Sequence, residues 1–132
     1  MPTHFHFIVK IKDEKEESIQ KAIGLLLSSY TKAINKRYNR HGSLFQSHTK
    51  SKEIIDEQYL LTVITYIHQN PLRAKITNSL EKWKYCSFRS IAKMEFDKLT
   101  YTKFYDQYFQ NSDKFITYSN EILSTVRKEF WI

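Results

Sequence analysis

Two histidines one residue apart, His4 and His6, open the chain within "MPTHFHFIVK". On an extended strand, residues two apart share a face, so both imidazoles look one way while Phe5, Phe7 and Val9 look the other. Imidazoles about 7 Å apart along a strand can converge on one ion, and they can equally form a half-exposed polar face with no further role. A second pair lies in "YLLTVITYIHQNP", where Tyr66 and Asn70 stand at i and i+4 and are neighbours on a helix surface. Between the two pairs run Lys32, Lys36, Arg37, Arg40, Lys50 and Lys52, with no acidic residue from Lys32 to Lys52. One chemistry uses all three groups. Two imidazoles and an amide oxygen can hold a divalent metal that polarises a phosphodiester. A tyrosine hydroxyl can then attack phosphorus in line, and the resulting phosphotyrosine keeps the energy of the broken bond for a later resealing. The basic block invites a polyanion, and the interleaved Tyr30, Tyr38 and Phe45 can stack unpaired bases. Each feature alone also has an ordinary reading: a solvated basic face, a packed tyrosine among nine, an asparagine at a helix end.

These side chains need elements to position them. Residues 3–12 alternate as a strand, and the acidic run Asp13–Glu17 leads to Ser18 as a helix N-cap. Ile19, Ile23, Leu26, Leu27, Tyr30 and Ile34 then follow helical spacing, with a stop expected between Asn39 and Gly42. Gly24 inside this helix costs about 1 kcal/mol relative to alanine, which points to a close packing contact there. "SLFQSHTKSKEII" reads as a second strand. Asp56 caps the next helix, whose buried stripe is Leu60, Leu61, Ile64 and Ile67. His68 falls on the apolar flank, Gln69 is a substitute ligand candidate, and Pro71 is expected to end the helix. "EKWKYCSF" reads as an irregular aromatic anchor, with Trp83, Tyr85 and Phe88 assigned to the core rather than to base stacking. His41 beside Gly42 reads as loop, and the tail "YTKFYDQYFQNSDKFITYSNEIL" as one or two short helices.

Composition bounds the answer. The 132 residues suit one domain, and 41% hydrophobic with 15% aromatic content excludes a disordered chain. The single cysteine, Cys86, cannot form an internal disulfide and fits a reducing compartment, here a bacterial cytoplasm. No stretch approaches a membrane span, and no leader pattern occurs, so no membrane partner is expected. The net charge is +7, all of it carried by residues 1–90, which hold 15 Lys and Arg against 8 Asp and Glu; residues 91–132 balance at 6 against 6.

The blocks "MPTHFHFIVK", "HGSLFQSHTKSKEI", "YLLTVITYIHQNPLRAKI" and "WKYCSF" resemble, in order and spacing, the single-tyrosine HUH transposases, which include insertion-sequence and REP-associated tyrosine transposases. The hallmark His-hydrophobic-His is matched by His4, Phe5 and His6, the nucleophile by Tyr66, and the third metal ligand by Asn70. The resemblance covers residues 1–90, a catalytic core, and leaves 91–132 as a C-terminal helical extension. It implies an α+β, ferredoxin-like fold: an antiparallel sheet with helices packed on it. It also implies Mg2+ or Mn2+ as cofactor and single-stranded DNA beside a hairpin as substrate. Cutting would leave a 5′-phosphotyrosine and a free 3′-hydroxyl, in DNA transposition. A homodimer, nucleoid-associated when bound to DNA, would use Lys32, Lys36, Arg37, Arg40, Gln46, His48, Lys50, Lys52 and Arg73 as DNA contacts.

Departures from the family pattern accompany these matches. Thr3 stands where asparagine is usual, His48 and Thr49 where arginine and an aromatic are frequent, and Lys75 where a glycine commonly follows "NPLRA". Family members carry a strand, helix and strand before the His-x-His strand, whereas Met1 directly precedes it here. Two strands make a marginal sheet with exposed edges. The expectation is therefore a core lacking its first strand-helix-strand, or one completed by a partner subunit, with a non-catalytic DNA-binding remnant as the alternative. A nucleotide- or RNA-binding ferredoxin-like module is the more distant option, since it would want aromatics on the face that bears the histidines.

Overall fold

The alternation of residues 4–11 produces an extended segment without a sheet. The computed structural model describes residues 4–11, 16–46, 49–93, 95, 100 and 103–121, and among these no strand occurs. The expected α+β, ferredoxin-like core is thereby overturned: the described chain is helical, in the order α1 (Glu16–Tyr38), α2 (Glu57–Arg73), α3 (Phe88–Ala92), α4 (Lys103–Tyr108) and α5 (Ser112–Glu121). The reason lies in what makes a strand. Alternation prepares the side chains, but the element exists only where a second chain segment supplies the hydrogen-bond ladder. Residues 49–55, expected to be part of that partner, are irregular. The period of two survives in the side chains even so. The His4 and His6 rings lie 5.1 Å apart, and the Phe5 and Phe7 rings 4.8 Å apart.

Packing divides the chain into two units, Val9–Lys52 and the combination of Met1–Ile8 with Glu53–Ile132. The first is built on α1. Ser18, expected to cap this helix, is instead its third residue. The helix stops where Asn39 takes a positive φ of 46°, and the Arg40 N–H reaches back to the Asn35 carbonyl at 3.0 Å. Asn35 then ties the loop, its Nδ2 donating to the Gly42 carbonyl at 2.9 Å and its Oδ1 accepting from Arg40 at 3.1 Å. Gly42 itself has φ +88°, a backbone that suits glycine. Gly24 corrects another expectation: among the described residues a Cβ built there meets nothing within 4 Å, so they offer no close contact to explain it.

The second unit holds a compact aromatic core. Asp56 caps α2 as expected, with extended backbone and Oδ1 accepting from the Tyr59 N–H at 2.6 Å. Pro71 does not end α2, which continues to Arg73. Proline forfeits one hydrogen bond in the last turn, and the helix closes beyond it instead: the Ile76 N–H bonds the Pro71 carbonyl at 2.9 Å and the Lys75 N–H bonds Leu72 at 3.0 Å. Lys75 sits at the joint with φ 57°. Leu80, Phe88, Ile91, Tyr105 and Phe115 are buried together, with Leu72, Cys86, Phe104, Phe109 and Ile116 packed around them. Phe115 on α5 is the hub, its ring 5.3 Å from Phe88, 5.8 Å from Tyr105 and 5.2 Å from Phe109. No helix among the described residues is long and apolar enough to cross a membrane.

Candidate functional site

Helix α2 carries two faces with different work. At 3.6 residues per turn, Ile64, Thr65, His68 and Gln69 share one face, and all four are buried. Tyr66 and Asn70 lie on another face and are half-buried. The expected stripe of Leu60, Leu61, Ile64 and Ile67 is only partly the inner one, since Leu60, Leu61 and Ile67 are half-buried. The true inner face is polar because partners wait for it. The Thr65 hydroxyl donates to the Leu61 carbonyl at 2.9 Å. Gln69 donates through Nε2 to the Ser119 carbonyl on α5, and it is buried on the face away from Tyr66 and Asn70. His68 Nε2 meets Ser87 Oγ at 3.0 Å, directly before α3.

His68 is held between the rings of Phe88 and Phe115, at 5.6 and 5.9 Å, both edge-on. Burial pushes its pKa down to about 4, so the ring is neutral. Among the described residues its Nδ1 finds no partner. A proton on Nε2, donated to Ser87, leaves only a lone pair at Nδ1, which is less costly than an orphaned N–H. His68 and Gln69 thus lock the rotation of α2, and with it the direction of Tyr66 and Asn70. Sequence reasoning puts His68 on the inner face but cannot supply Ser87 or Ser119 as partners.

On the outer face the residues expected to act together do meet. His6 Nε2 lies 3.2 Å from Asn70 Nδ2, and the His6 ring stands edge-on to Tyr66 with centroids 6.1 Å apart. His4 extends the group through its contact with His6. His6 is half-buried, and desolvation, with the charge of His4 next, holds its pKa below the ordinary imidazole value. A neutral ring offers its Nε2 lone pair, which accepts from the Asn70 amide and suits a metal equally well. Rotating that amide by a half-turn would present Oδ1 in place of Nδ2. Two imidazole nitrogens and an amide oxygen are a donor set that fits a divalent metal. Among the described residues no three His, Cys, Asp or Glu side chains group for a metal; the third donor here is an asparagine.

The basic block belongs to the other unit. Lys32, Lys36, Arg37, Lys50 and Lys52 are exposed, as is Gln46, and Arg40 is half-buried against Asn35. Tyr30 pairs with Phe45 at 6.1 Å, and the Arg37 guanidinium lies 5.7 Å from the Tyr38 ring centre. Arg73 is exposed at the end of α2. His48 and Thr3 lie outside the described residues. Compared with models of protein families, with curated proteins and with solved structures, the chain matches none. The aromatic assignments split: Phe88 is fully buried, Trp83 is half-buried, and Tyr85, expected in the core, is 71% exposed.

Proposed function

We propose that this protein is a metal-assisted single-stranded DNA strand transferase of the single-tyrosine HUH transposase kind, with Tyr66 as nucleophile. The observation that carries the reading is the contact of His6 with both Tyr66 and Asn70, across 64 residues of sequence in the case of Asn70. The residue types that one phosphoryl-transfer chemistry requires are gathered in a partly open site. His4, His6 and Asn70 would hold the metal. Mg2+ or Mn2+ bound there would polarise the phosphodiester and offset charge developing on it. A pair of imidazoles among the donors favours Mn2+ over the harder Mg2+.

The remaining work falls to the chain. The phenolic oxygen of Tyr66 attacks phosphorus as its proton passes to solvent. The bond from phosphorus to the 3′-oxygen breaks and that oxygen takes a proton from water, leaving a 5′-phosphotyrosine and a 3′-hydroxyl. A second 3′-hydroxyl attacking the same phosphorus reverses the steps and releases Tyr66. His68 and Gln69 keep α2 from turning during the exchange. Exposed Lys32, Lys36, Arg37, Lys50 and Lys52, with Arg40, supply phosphate contacts for a hairpin-containing strand. A homodimer is the assembly this reading favours.

The test is a denaturing gel of the chain with single-stranded hairpin oligonucleotides and Mn2+. A detergent-resistant protein–DNA adduct is expected, lost in Tyr66→Phe and in His4→Ala/His6→Ala, with mass spectrometry placing the nucleotide on Tyr66. An adduct that survives Tyr66→Phe would sink the assignment. A second reading, a DNA-binding protein that does not cut, is favoured by one observation: His4 and His6 belong to no sheet among the described residues. A segment outside a sheet holds ligand angles less firmly. Single-strand binding without any adduct would select that reading.

A further inference from the structure

Directly after the site helix, the chain carries a second basic stretch: Arg73, Lys75, Lys82, Lys84, Arg89 and Lys93, against the single acid Glu81. All seven are exposed, and they lie in the same unit as His6, Tyr66 and Asn70. At the middle of this stretch stands Tyr85, 71% exposed although its neighbours are fixed. Phe88 is buried in the core, and Ser87 is tied to His68. The Trp83 N–H bonds the Leu80 carbonyl at 3.4 Å, and the Cys86 thiol reaches the Trp83 carbonyl at 3.5 Å. The Trp83 ring meets Tyr85 edge-on at 5.2 Å, and Lys84 Nζ lies 5.1 Å from the centre of the Tyr85 ring.

An exposed aromatic on an anchored loop, braced at its edge and flanked by lysines, sets an open π-face beside cationic side chains, the pairing that holds an unpaired base together with its phosphate. We propose that Tyr85 is a stacking platform for an unpaired base of single-stranded DNA, with Lys82, Lys84 and Arg89 contacting the adjoining phosphates. Charge selects the partner: the surface is cationic, which attracts a polyanion and repels a cationic peptide. Shape selects the single strand, because a base can reach a tyrosine face only when it is not paired. Anchoring lowers the ordering cost on binding, since the loop does not need to be fixed by the ligand. The Ser87–His68 bond joins this loop to the helix that carries Tyr66, so the platform also sets a register between the held base and the nucleophile. The inference rests on the reading of Tyr66 as a DNA nucleophile only for that last consequence.

The experiment is a binding titration of the full chain with an oligothymidine of about fifteen nucleotides, by fluorescence anisotropy at several salt concentrations. Tyr85→Ala is expected to weaken binding about five- to a hundredfold with an unchanged salt slope, and Tyr85→Phe to restore it. The triple change Lys82→Ala/Lys84→Ala/Arg89→Ala is expected to lower the slope by about 0.7 for each phosphate that is no longer neutralised. Because Tyr85 is exposed, the thermal midpoint of Tyr85→Ala serves as the folding control and should not move. Wild-type affinity in Tyr85→Ala overturns the platform while leaving the Tyr66 adduct assay to judge catalysis. Equal weakening toward duplex and single strand overturns stacking as the cause. No binding of the oligothymidine by the wild-type chain overturns the platform, and the hairpin adduct assay then judges the strand-transferase reading separately.

Discussion

At the scale of single residues, His68 and Lys75 show how context changes what a side chain does. The folded chain keeps His68 neutral down to about pH 4, whereas an unfolded chain protonates it near the ordinary 6.5. Between those values the unfolded state binds more protons, so stability falls as pH drops from 6.5 to 4, by about 3 kcal/mol in all, and this contribution is level above 6.5. Urea midpoints at pH 7 and pH 5 should differ in the wild-type chain, and the difference should shrink in His68→Gln. Lys75 holds a left-handed backbone that a side chain adopts at a cost of about 1 kcal/mol. Lys75→Gly should therefore raise the thermal midpoint, and an unchanged or lower midpoint would mean that the turn gains more from the lysine than from the backbone.

At the scale of elements, helices are legible in the sequence and strands are not. Asp56 and the Asn39–Gly42 stop are local devices, each working through hydrogen bonds a few residues long, and they stand where spacing places them. Pro71 escapes such a reading because a proline in the last turn removes one bond without preventing the closing motif beyond it. Gly24 departs in the other direction, for the space beside it is open. Gly24→Ala should stabilise α1 by about 1 kcal/mol, seen as a higher helical content and midpoint by circular dichroism. A loss of stability would reveal a contact that the open space denies. Residues 4–11 have the right alternation for a strand, but alternation carries no information about whether a partner segment is available.

For the whole molecule, the aromatic cluster decides whether the site exists. Phe115 touches Phe88, Tyr105, Phe109 and His68 from α5, and Ser119 on the same helix receives Gln69. Phe115→Ala should cost about 3–5 kcal/mol by the cavity it opens and by the loss of the ring beside His68. Chemical denaturation should show it, and the Tyr66 adduct should weaken in parallel at temperatures where the wild-type chain is intact. A variant of full stability would show that the core does not depend on this ring. The tail beyond residue 90, where no motif points to a role, thus holds the buried face of the site helix.

Residue order alone carries what is local: that His4 and His6 share a side, that Tyr66 and Asn70 are helix neighbours, where α2 is capped, and where charge gathers. These follow from bond geometry and from contacts over two to four residues, which any folded context preserves. The rest comes from packing between distant segments. Whether an alternating segment finds a ladder, which face of α2 turns inward, and that His6 reaches Asn70 depend on segments far apart in the chain. Their pairing is set by competition among all the apolar and polar surfaces at once. Tyr85 is the plainest case: its neighbours Ser87 and Phe88 found partners in α2 and α5, and the ring between the anchors was left facing water.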